Sequence, residues 1–348
     1  MKRHRSDGDF LSATSCIGPA GRFNLKIGAY YRHLISFSLV IVLALTQVSC
    51  QPTGCKMEPT IVCPLPAYQI KSLPSAFPSP SADEKKEEWA KELFIGDAFA
   101  KECDFYRALT SYKRALFLLP PSDIQHRLQI DYNMVLCYYL GSKHQEAINI
   151  FEASDLSQVN QDFPGFHHLL LIIYDCYLLT EQEDKASCVL DIIRKLSSES
   201  SDDLLLYQTL KKGESEEARS LIAQHRNAQE MQADFALYDQ FKKSPTKART
   251  LNAILPGAGY YYVGQRRSAL TSFIINTLFT AAAYQFFRNG YPAAGAITAS
   301  LEAGWYLGGI NGAGIEAQEF NTRLYEGMSR KILTDHFCFP VLMFETSF

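Results

Sequence analysis

The sequence predicts an all-α protein in which repeated helical hairpins precede an apolar helical hairpin near the C-terminus. Small and aromatic residues recur at helical spacing between residues 85 and 245. Charged residues are dense from 83 to 247 and nearly absent from 250 to 314. The formal net charge of −3 leaves no basic excess of the kind that nucleic-acid binding needs, so we expect no nucleic-acid partner.

Residues 1–49 are predicted to be a signal peptide or an N-terminal anchor. Basic residues precede an uncharged run at 34–48, which is shorter than the roughly 20 residues that span a bilayer. Cys50 follows in a context that resembles a bacterial lipobox, which implies lipid attachment at Cys50. Gln47 departs from that motif, in which Leu is usual. The alternatives are a lipoprotein, an uncleaved anchor and a buried core helix.

Residues 50–84 are predicted to be a linker. The stretch is rich in Pro and Ser, as in PTIVCPLPAYQIKSLPSAFPSPSA. Such a composition buries too little apolar surface to fold alone. We therefore expect a semi-extended tether between the export segment and the first charged helix.

A helical repeat begins after this linker. Two helices can approach closely where small residues face each other, aromatic residues fill the remaining space, and Pro ends the second helix. The first copy carries these residues at tetratricopeptide spacing: Gly96, Phe99, Phe105, Ala108, Tyr112, Ala115 and Pro120. The segment resembles the tetratricopeptide superfamily, which implies stacked helical hairpins with a concave surface for protein partners.

Later copies follow the same pattern. The second copy contains Tyr138, Ala147 and Phe151, and a third has its small residue at Ala186. Ala108, Ala147 and Ala186 are separated by 39 residues each, which exceeds the usual 34 and predicts longer loops between repeats. A fourth helical pair surrounds Ala218. The array is predicted to occupy residues 85–245.

Residues 246–325 are predicted to form a hydrophobic membrane domain. The run at 268–287 has twenty uncharged residues, and as a helix it would measure about 30 Å, the thickness of a hydrocarbon core. After a short break, a second apolar segment contains a single charge, Glu302. Small residues recur every fourth position, which predicts close helix packing. They form two series: Gly295, Ala299 and Ala303, and then Gly304, Gly308 and Gly312. Residues 326–348 are left as a C-terminal tail.

This domain carries a Pro-Gly-x-Gly-x-x-Tyr-x-Gly signature. It is similar in outline to the two-transmembrane domain family and to bacterial envelope proteins in which a tetratricopeptide array precedes such a domain. The resemblance implies an envelope location and an architecture, and the family has no settled biochemical activity. The matching positions are Pro256, Gly257, Gly259, Tyr262, Gly264, Gly304, Trp305, Tyr306, Gly308 and Asn311.

Two membrane topologies remain open. In the first, the chain crosses twice, and Arg266 and Arg267 lie outside the membrane with the array, against the positive-inside tendency. In the second, residues 250–264 re-enter the bilayer, which places Arg266 and Arg267 on the cytoplasmic side. The sequence favours two passes, because the Pro-Gly break shortens the reach of residues 250–264.

The sequence offers no recognisable catalytic constellation, so we expect no enzyme, no cofactor, no metal site and no small-molecule substrate. No Cys-x-x-Cys pair, Gly-Lys-Ser/Thr loop or Ser-His-Asp arrangement is present. The predicted function is a helical-repeat scaffold for protein–protein interaction, with its array in the periplasm. The alternative is an accessory subunit of a membrane pore or transporter, with Glu302 on a polar face.

Overall fold

The computed structural model describes residues 57–63 and 67–348, and the described chain is all-α. Its single β contact is an isolated bridge between Ser75 and Ser347. The predicted signal segment and Cys50 lie outside the described residues. The described chain divides into two compact units. The hairpin unit is Ser244–Ala317, and the array unit contains the described residues up to Lys243 together with Gln318–Phe348.

The array unit is a succession of short helices. Three 3₁₀ turns, Glu84–Lys86, Asp155–Gln158 and Pro340–Met343, interrupt it. Its helices are α1 (Ala67–Ser72), α2 (Glu88–Lys101), α3 (Phe105–Leu118), α4 (Ile124–Leu140), α5 (His144–Ala153), α6 (Phe166–Leu179), α7 (Glu183–Leu196), α8 (Ser198–Lys211), α9 (Ser215–Gln224) and α10 (Ala228–Phe241).

The same type of turn joins the two helices in each of four helical hairpins: α2–α3, α4–α5, α6–α7 and α8–α9. Each turn has a single left-handed residue: Cys103, Ser142, Glu181 or Gly213, with φ of 61°, 57°, 60° and 74°. The amide that follows donates to the carbonyl five residues earlier, at 2.8 to 3.3 Å. This is the Schellman arrangement, which satisfies carbonyl groups at a helix end. The turn is therefore built by the backbone, with Gly in only one of its four copies.

The predicted small residues lie at one fixed place in these hairpins. Ala108, Ala147, Ala186 and Ala218 each lie five residues after the left-handed position and are 0 to 1 % exposed. An alanine there lets the two helices approach closely. The helical hairpins therefore repeat structurally at the 39-residue spacing of the first three copies, and the fourth follows after 32 residues.

A fifth antiparallel pair closes the array unit, and it corrects the prediction of a tail at 326–348. Helix α10 pairs with the second part of α14 (Pro292–Asp335). Tyr238 contacts Tyr325 at 5.8 Å between ring centroids, and Lys331 donates to Asp234 at 2.7 Å. Beyond α14 the chain is buried at several aromatic residues, including Phe344 and Phe348. Along the chain, the hairpin unit is therefore inserted between the two helices of this last pair.

The described part of the predicted linker also packs on the array unit. Ile61 and Ile70 are 4 % and 1 % exposed, and Ile70 lies on helix α1. The ring of Phe77 lies 5.3 Å from Tyr132 and 5.4 Å from Phe163. These side chains bury apolar surface against the repeats, which the average composition of the stretch conceals. A free tether is therefore wrong for the described residues of this segment.

The hairpin unit begins with two short helices, α11 (Pro245–Ile254) and α12 (Ala258–Val263). Between them Gly257 adopts φ 93°, a left-handed conformation that favours glycine, and its amide donates to Asn252 Oδ1 at 2.9 Å. Gly264 ends α12 with φ 95°. The Pro-Gly-x-Gly stretch is therefore a sharp corner followed by one short helix.

Helix α13 (Arg266–Arg288) and the first part of α14 form an antiparallel hairpin. Gln265 is hydrogen-bonded to Glu316, and Thr280 lies beside Glu302. A Cβ at Gly309 would lie 3.9 Å from Ser272 Oγ, and one at Gly295 would lie 2.9 Å from the Phe287 ring. The two residue numbers of each pair add to nearly the same value, as an antiparallel register requires.

Replacing Asp97 with Asn is expected to stabilise the array unit at neutral pH. Burial raises the pKa of the Asp97 carboxyl to about 6, although Tyr112 and Asn133 donate to its Oδ1 at 2.7 and 3.0 Å. Because the folded state binds this proton more tightly than the unfolded chain, stability falls as pH rises from about 4 to about 6. An Asn oxygen accepts both hydrogen bonds without a charge.

We therefore expect Asp97→Asn to gain up to about 3 kcal/mol at pH 7 and little at pH 4. Urea unfolding followed by circular dichroism at both pH values measures this difference. A variant that is destabilised equally at both pH values would show that the charge itself holds Tyr112 and Asn133.

Candidate functional site

The predicted repeat-packing residues lie at the contacts between the helices of the array. Tyr112 is fully buried, and a Cβ at Gly96 would approach its ring to 2.6 Å. Arg107 lies over the half-buried ring of Phe99, 4.6 Å from its centroid. Ala115 and Ala147 are fully buried, whereas Pro120 is exposed after the end of α3. The remaining members are partly buried: Phe105, Tyr138 and Phe151.

The first helices of the hairpins hold the C-terminal residues of the chain itself. The Phe344 ring lies 6.1 Å from Tyr139 on α4 and 5.8 Å from His168 on α6. The Glu345 amide donates to His168 Nε2 at 3.1 Å, while Nδ1 pairs with the Thr346 hydroxyl at 2.8 Å. Burial lowers the pKa of His168 to about 4, consistent with a neutral ring that accepts an amide proton. This face of the array is occupied by its own chain.

Helices α2 and α3 also expose large apolar side chains. We call these four residues the outer patch: Phe94, Tyr106, Phe117 and Leu118. Tyr106 and Phe117 of α3 are 83 % and 89 % exposed, and Phe94 of α2 is 75 % exposed. Lys113 and Arg114 lie beside Phe117 in a shallow groove of about 400 Å³. Aromatic and arginine side chains together are typical of protein–protein contact surfaces.

The hairpin unit distributes its side chains in the opposite sense to a water-soluble hairpin. The buried residues of α13 are small or polar: Ala269, Ser272, Asn276 and Ala283. Its large apolar residues point outward instead. The exposed apolar residues of α13 and the first part of α14 are Leu270, Phe273, Ile274, Leu278, Phe279, Tyr284, Phe286, Phe287, Ile297, Leu301, Trp305, Leu307 and Ile315.

Among the described helices, Arg266–Arg288 alone is long and apolar enough to cross a membrane by length and composition, and 17 % of its apolar window is buried. The second predicted segment lies in α14 and does not meet this criterion. Its frequent Gly and Ala residues add little hydropathy, and α14 continues into charged sequence after Glu316. Of the two spanning segments predicted from the sequence, only the first therefore lies in a helix that meets this criterion.

Several signature residues hold the corner of the hairpin unit. Gly259 is buried, and a Cβ there would lie 2.8 Å from both the Ala313 and the Asn252 side chains. The Tyr262 hydroxyl accepts from the Ser244 amide at 3.2 Å. The Tyr306 hydroxyl donates to the Ala253 carbonyl. Pro256 and Asn311 are half-buried. Asn252, which the motif does not include, links the corner to α11.

The expected glycine stripe is only partly a packing surface. No described atom that would restrict a side chain lies within 4 Å of the Cβ position at Gly304 or Gly308. Close contacts occur at Gly295 and Gly312, which belong to the predicted series, and at Gly309 and Gly314, which do not. The four-residue spacing therefore marks the contact surface only in part.

Glu302 lies within the helical hairpin and is half-buried. Its Oε2 is buried and has no hydrogen-bond partner among the described residues, and the same holds for Asn276 Oδ1.

Asp203, His225 and Cys338 are the one described group whose ligand atoms are close enough for a metal ion, within 4.8 Å. The Asp203 carboxylate accepts hydrogen bonds from His225 Nε2 at 2.7 Å and from Arg226 at 2.8 Å. The backbone amide of Asn227 donates to His225 Nδ1 at 3.2 Å. Each of these polar groups is thus satisfied, and the Arg226 guanidinium already balances the carboxylate. Burial raises the pKa of the Cys338 thiol, which keeps it protonated beside Asp203. The cluster fastens the C-terminal segment to α8.

Comparison of the chain with protein-family models, with curated proteins and with solved structures found no match. The functional argument therefore depends on the residues themselves.

Proposed function

We propose that this chain is a membrane-anchored scaffold: the hairpin unit attaches it to a bilayer, and a tetratricopeptide-like array unit binds a protein partner in a bacterial envelope. No catalytic role is needed for this function. The observation that carries it is the outward placement of apolar side chains on α13 and α14.

Hydrocarbon explains this placement better than water. Leu278, near the middle of α13, is 62 % exposed, and Leu301 on α14 is 61 % exposed. In a bilayer such residues contact lipid at no cost, while small residues between helices permit close packing. In water, the same surface would be an extended apolar patch of the kind that monomeric proteins avoid.

The two tryptophans of the chain provide a test that does not depend on the N-terminal segment. Trp305 is 54 % exposed on α14, whereas Trp89 is 4 % exposed in the array unit. We expect Trp305 emission to be strongly quenched when Trp89→Phe protein is reconstituted with lipids that are brominated on their acyl chains. Bromine quenches a tryptophan only at close range, so quenching reports contact with the hydrocarbon.

Trp305→Phe is the matched control, since its remaining indole is buried among protein side chains. Its emission should change little in the same lipids. Equal, weak quenching in both variants would contradict membrane insertion of the hairpin unit. Reporter fusions after Gln265 and Arg330 would then distinguish two passes from a re-entrant segment at 250–264.

The outer patch is the part of the array that best fits a partner. Its aromatic residues are exposed, whereas the first-helix face at Tyr139 and His168 is covered by Phe344. The scaffold proposal therefore assigns partner binding to α3 rather than to the concave surface that the resemblance implied.

A second candidate function is an accessory role in a pore or transporter. The observation that favours it is the buried, unpartnered Oε2 of Glu302 near the middle of an apolar helical segment. A carboxylate is costly there unless it serves a polar path. Ion flux in proteoliposomes, compared between the native chain and Glu302→Gln, tests it. Absence of flux in both would leave the scaffold function alone.

A further inference from the structure

The array unit contains a cavity that neither the scaffold nor the membrane anchor uses. It has a volume of about 360 Å³ and lies among the ends of α4, α6 and α8, the segment at 61–63 and the segment at 339–341. Pockets for small molecules have volumes from about 300 Å³ upward. At about 30 Å³ for each water-sized group, the space accepts roughly a dozen non-hydrogen atoms.

The deepest polar group of this cavity is a carboxylate whose hydrogen bonds are already made. Asp175 is 5 % exposed. Its two oxygens accept from the hydroxyls of Tyr139 and Tyr207, each at 2.8 Å. Both phenolic protons therefore point to Asp175, and both phenolic oxygens can only accept from anything else. Each carboxylate oxygen thus already accepts one hydrogen bond from the protein.

The next group outward is a lysine with unused donors. Lys211 Nζ donates to the Tyr207 hydroxyl at 3.3 Å, which is its one hydrogen bond among the described residues. An ammonium group has three donors. Burial lowers the pKa of Lys211, and the Asp175 carboxylate opposes that shift. The lysine is thus partly dehydrated without a directly bound anion.

A second nitrogen at the cavity wall, that of a histidine, makes no hydrogen bond to the described chain. His144, at the start of α5, lines the cavity together with Ser142, and its Nδ1 is buried without a hydrogen bond to the described chain. The other walls are apolar and include Leu140, Leu179 and Val341. The cavity wall therefore offers both hydrogen-bond donors and hydrocarbon surface.

We infer that this cavity binds a small carboxylate with a short hydrocarbon body. The carboxylate accepts from Lys211 and from His144 or Ser142, and the hydrocarbon packs on Leu140, Leu179 and Val341. A cation is disfavoured because the Lys211 ammonium group repels it. This differs from the sequence-based expectation that no small molecule binds, and it does not require the proposed scaffold function.

Hexanoate is the probe, and hexan-1-ol and hexylammonium are its matched controls. Isothermal titration of the full chain in lipid nanodiscs, with empty nanodiscs as the blank, should give saturable one-to-one binding of hexanoate. The alcohol should bind at least about tenfold more weakly, and the ammonium ion should not bind at the site.

Lys211→Met retains the length of the side chain and removes its charge. We expect it to weaken hexanoate binding at least about tenfold, which corresponds to about 1.4 kcal/mol. Lys212→Met is the matched control: Lys212 pairs with Glu183 at 3.0 Å and does not line the cavity. Its affinity for hexanoate should equal that of the native chain.

Leu179→Trp provides a second test in case Lys211→Met folds poorly. Leu179 lines the cavity but is 37 % exposed, so a larger ring can fill the space without disturbing the core. Binding should be lost while the melting temperature is kept. The inference is overturned if the native chain does not bind hexanoate saturably, if the alcohol or the ammonium ion binds equally well, or if both cavity variants bind like the native chain.

Discussion

Gly96→Leu is expected to lower the free energy of unfolding of the array unit by about 3 kcal/mol. Its Cβ would lie 2.6 and 2.7 Å from two ring carbons of Tyr112, closer than real contacts allow. Tyr112 is fully buried, and its hydroxyl is bound to Asp97, so the ring has no space to move. Overfilling a packed site costs about 1–3 kcal/mol or more.

Thermal unfolding followed by circular dichroism measures this effect, which corresponds to a decrease in melting temperature of roughly 5–10 °C. Gly327→Leu is the matched control in the same unit. Gly327 is exposed on α14, and no described atom restricts a side chain there. Replacing a helical Gly by Leu at such a site gains up to about 1 kcal/mol. If both variants melt alike, α2 and α3 do not approach each other as described.

The contacts within each hairpin were predictable because they depend on local spacing. Gly96, Ala108 and Tyr112 lie within two adjacent helices, so one stretch of sequence contains both sides of the contact. The turns were harder to predict. Three of the four left-handed positions are Cys103, Ser142 and Glu181, which give no glycine signal, and the backbone hydrogen bonds stabilise the turn instead.

Contacts between distant segments could not be read from the sequence. Tyr325 donates to the Leu210 carbonyl across 115 residues, and Thr60 donates to Glu326 across 266. Local composition marks residues 50–84 as a linker because Pro and Ser are frequent there, and residues 326–348 were left as a tail because their apolar residues show no regular spacing. Each of these residues finds its partner only after the repeats have formed a surface. The Asp175 cavity depends on five such segments and has no local pattern.

The boundary between the two units was hidden for a related reason. Helix α14 is continuous over 44 residues, while its surroundings change from apolar to charged near Glu316. The predicted membrane domain ends at residue 325 instead, within the charged second part of the helix. The helix continues through Glu316 because the residues on both sides of it are compatible with a helix, and only their neighbours differ.

Gly259→Leu is expected to have the largest effect in the hairpin unit. Gly259 is buried where α11, α12 and α14 meet, and its Cβ would approach the Ala248 carbonyl oxygen as well as the Ala313 and Asn252 side chains. A carbonyl within a helix cannot rotate away as a side chain can. A leucine must therefore separate the helices, at a cost of about 3 kcal/mol or more. We expect the variant to lose its sharp unfolding transition and its monodisperse elution in detergent.

Gly304→Leu and Gly308→Leu are the matched controls on α14, since both glycines face open space. The glycine spacing alone predicts that leucine at Gly308 disrupts packing, whereas the structure predicts that it is tolerated. All three substitutions add the same volume and the same hydropathy to an apolar segment, so membrane partitioning is affected equally and only the contacts differ. Disruption by Gly308→Leu together with tolerance of Gly259→Leu would reverse the assignment of the inner and outer faces of this hairpin, and with it the outward placement of Leu278 and Leu301 that supports membrane anchorage.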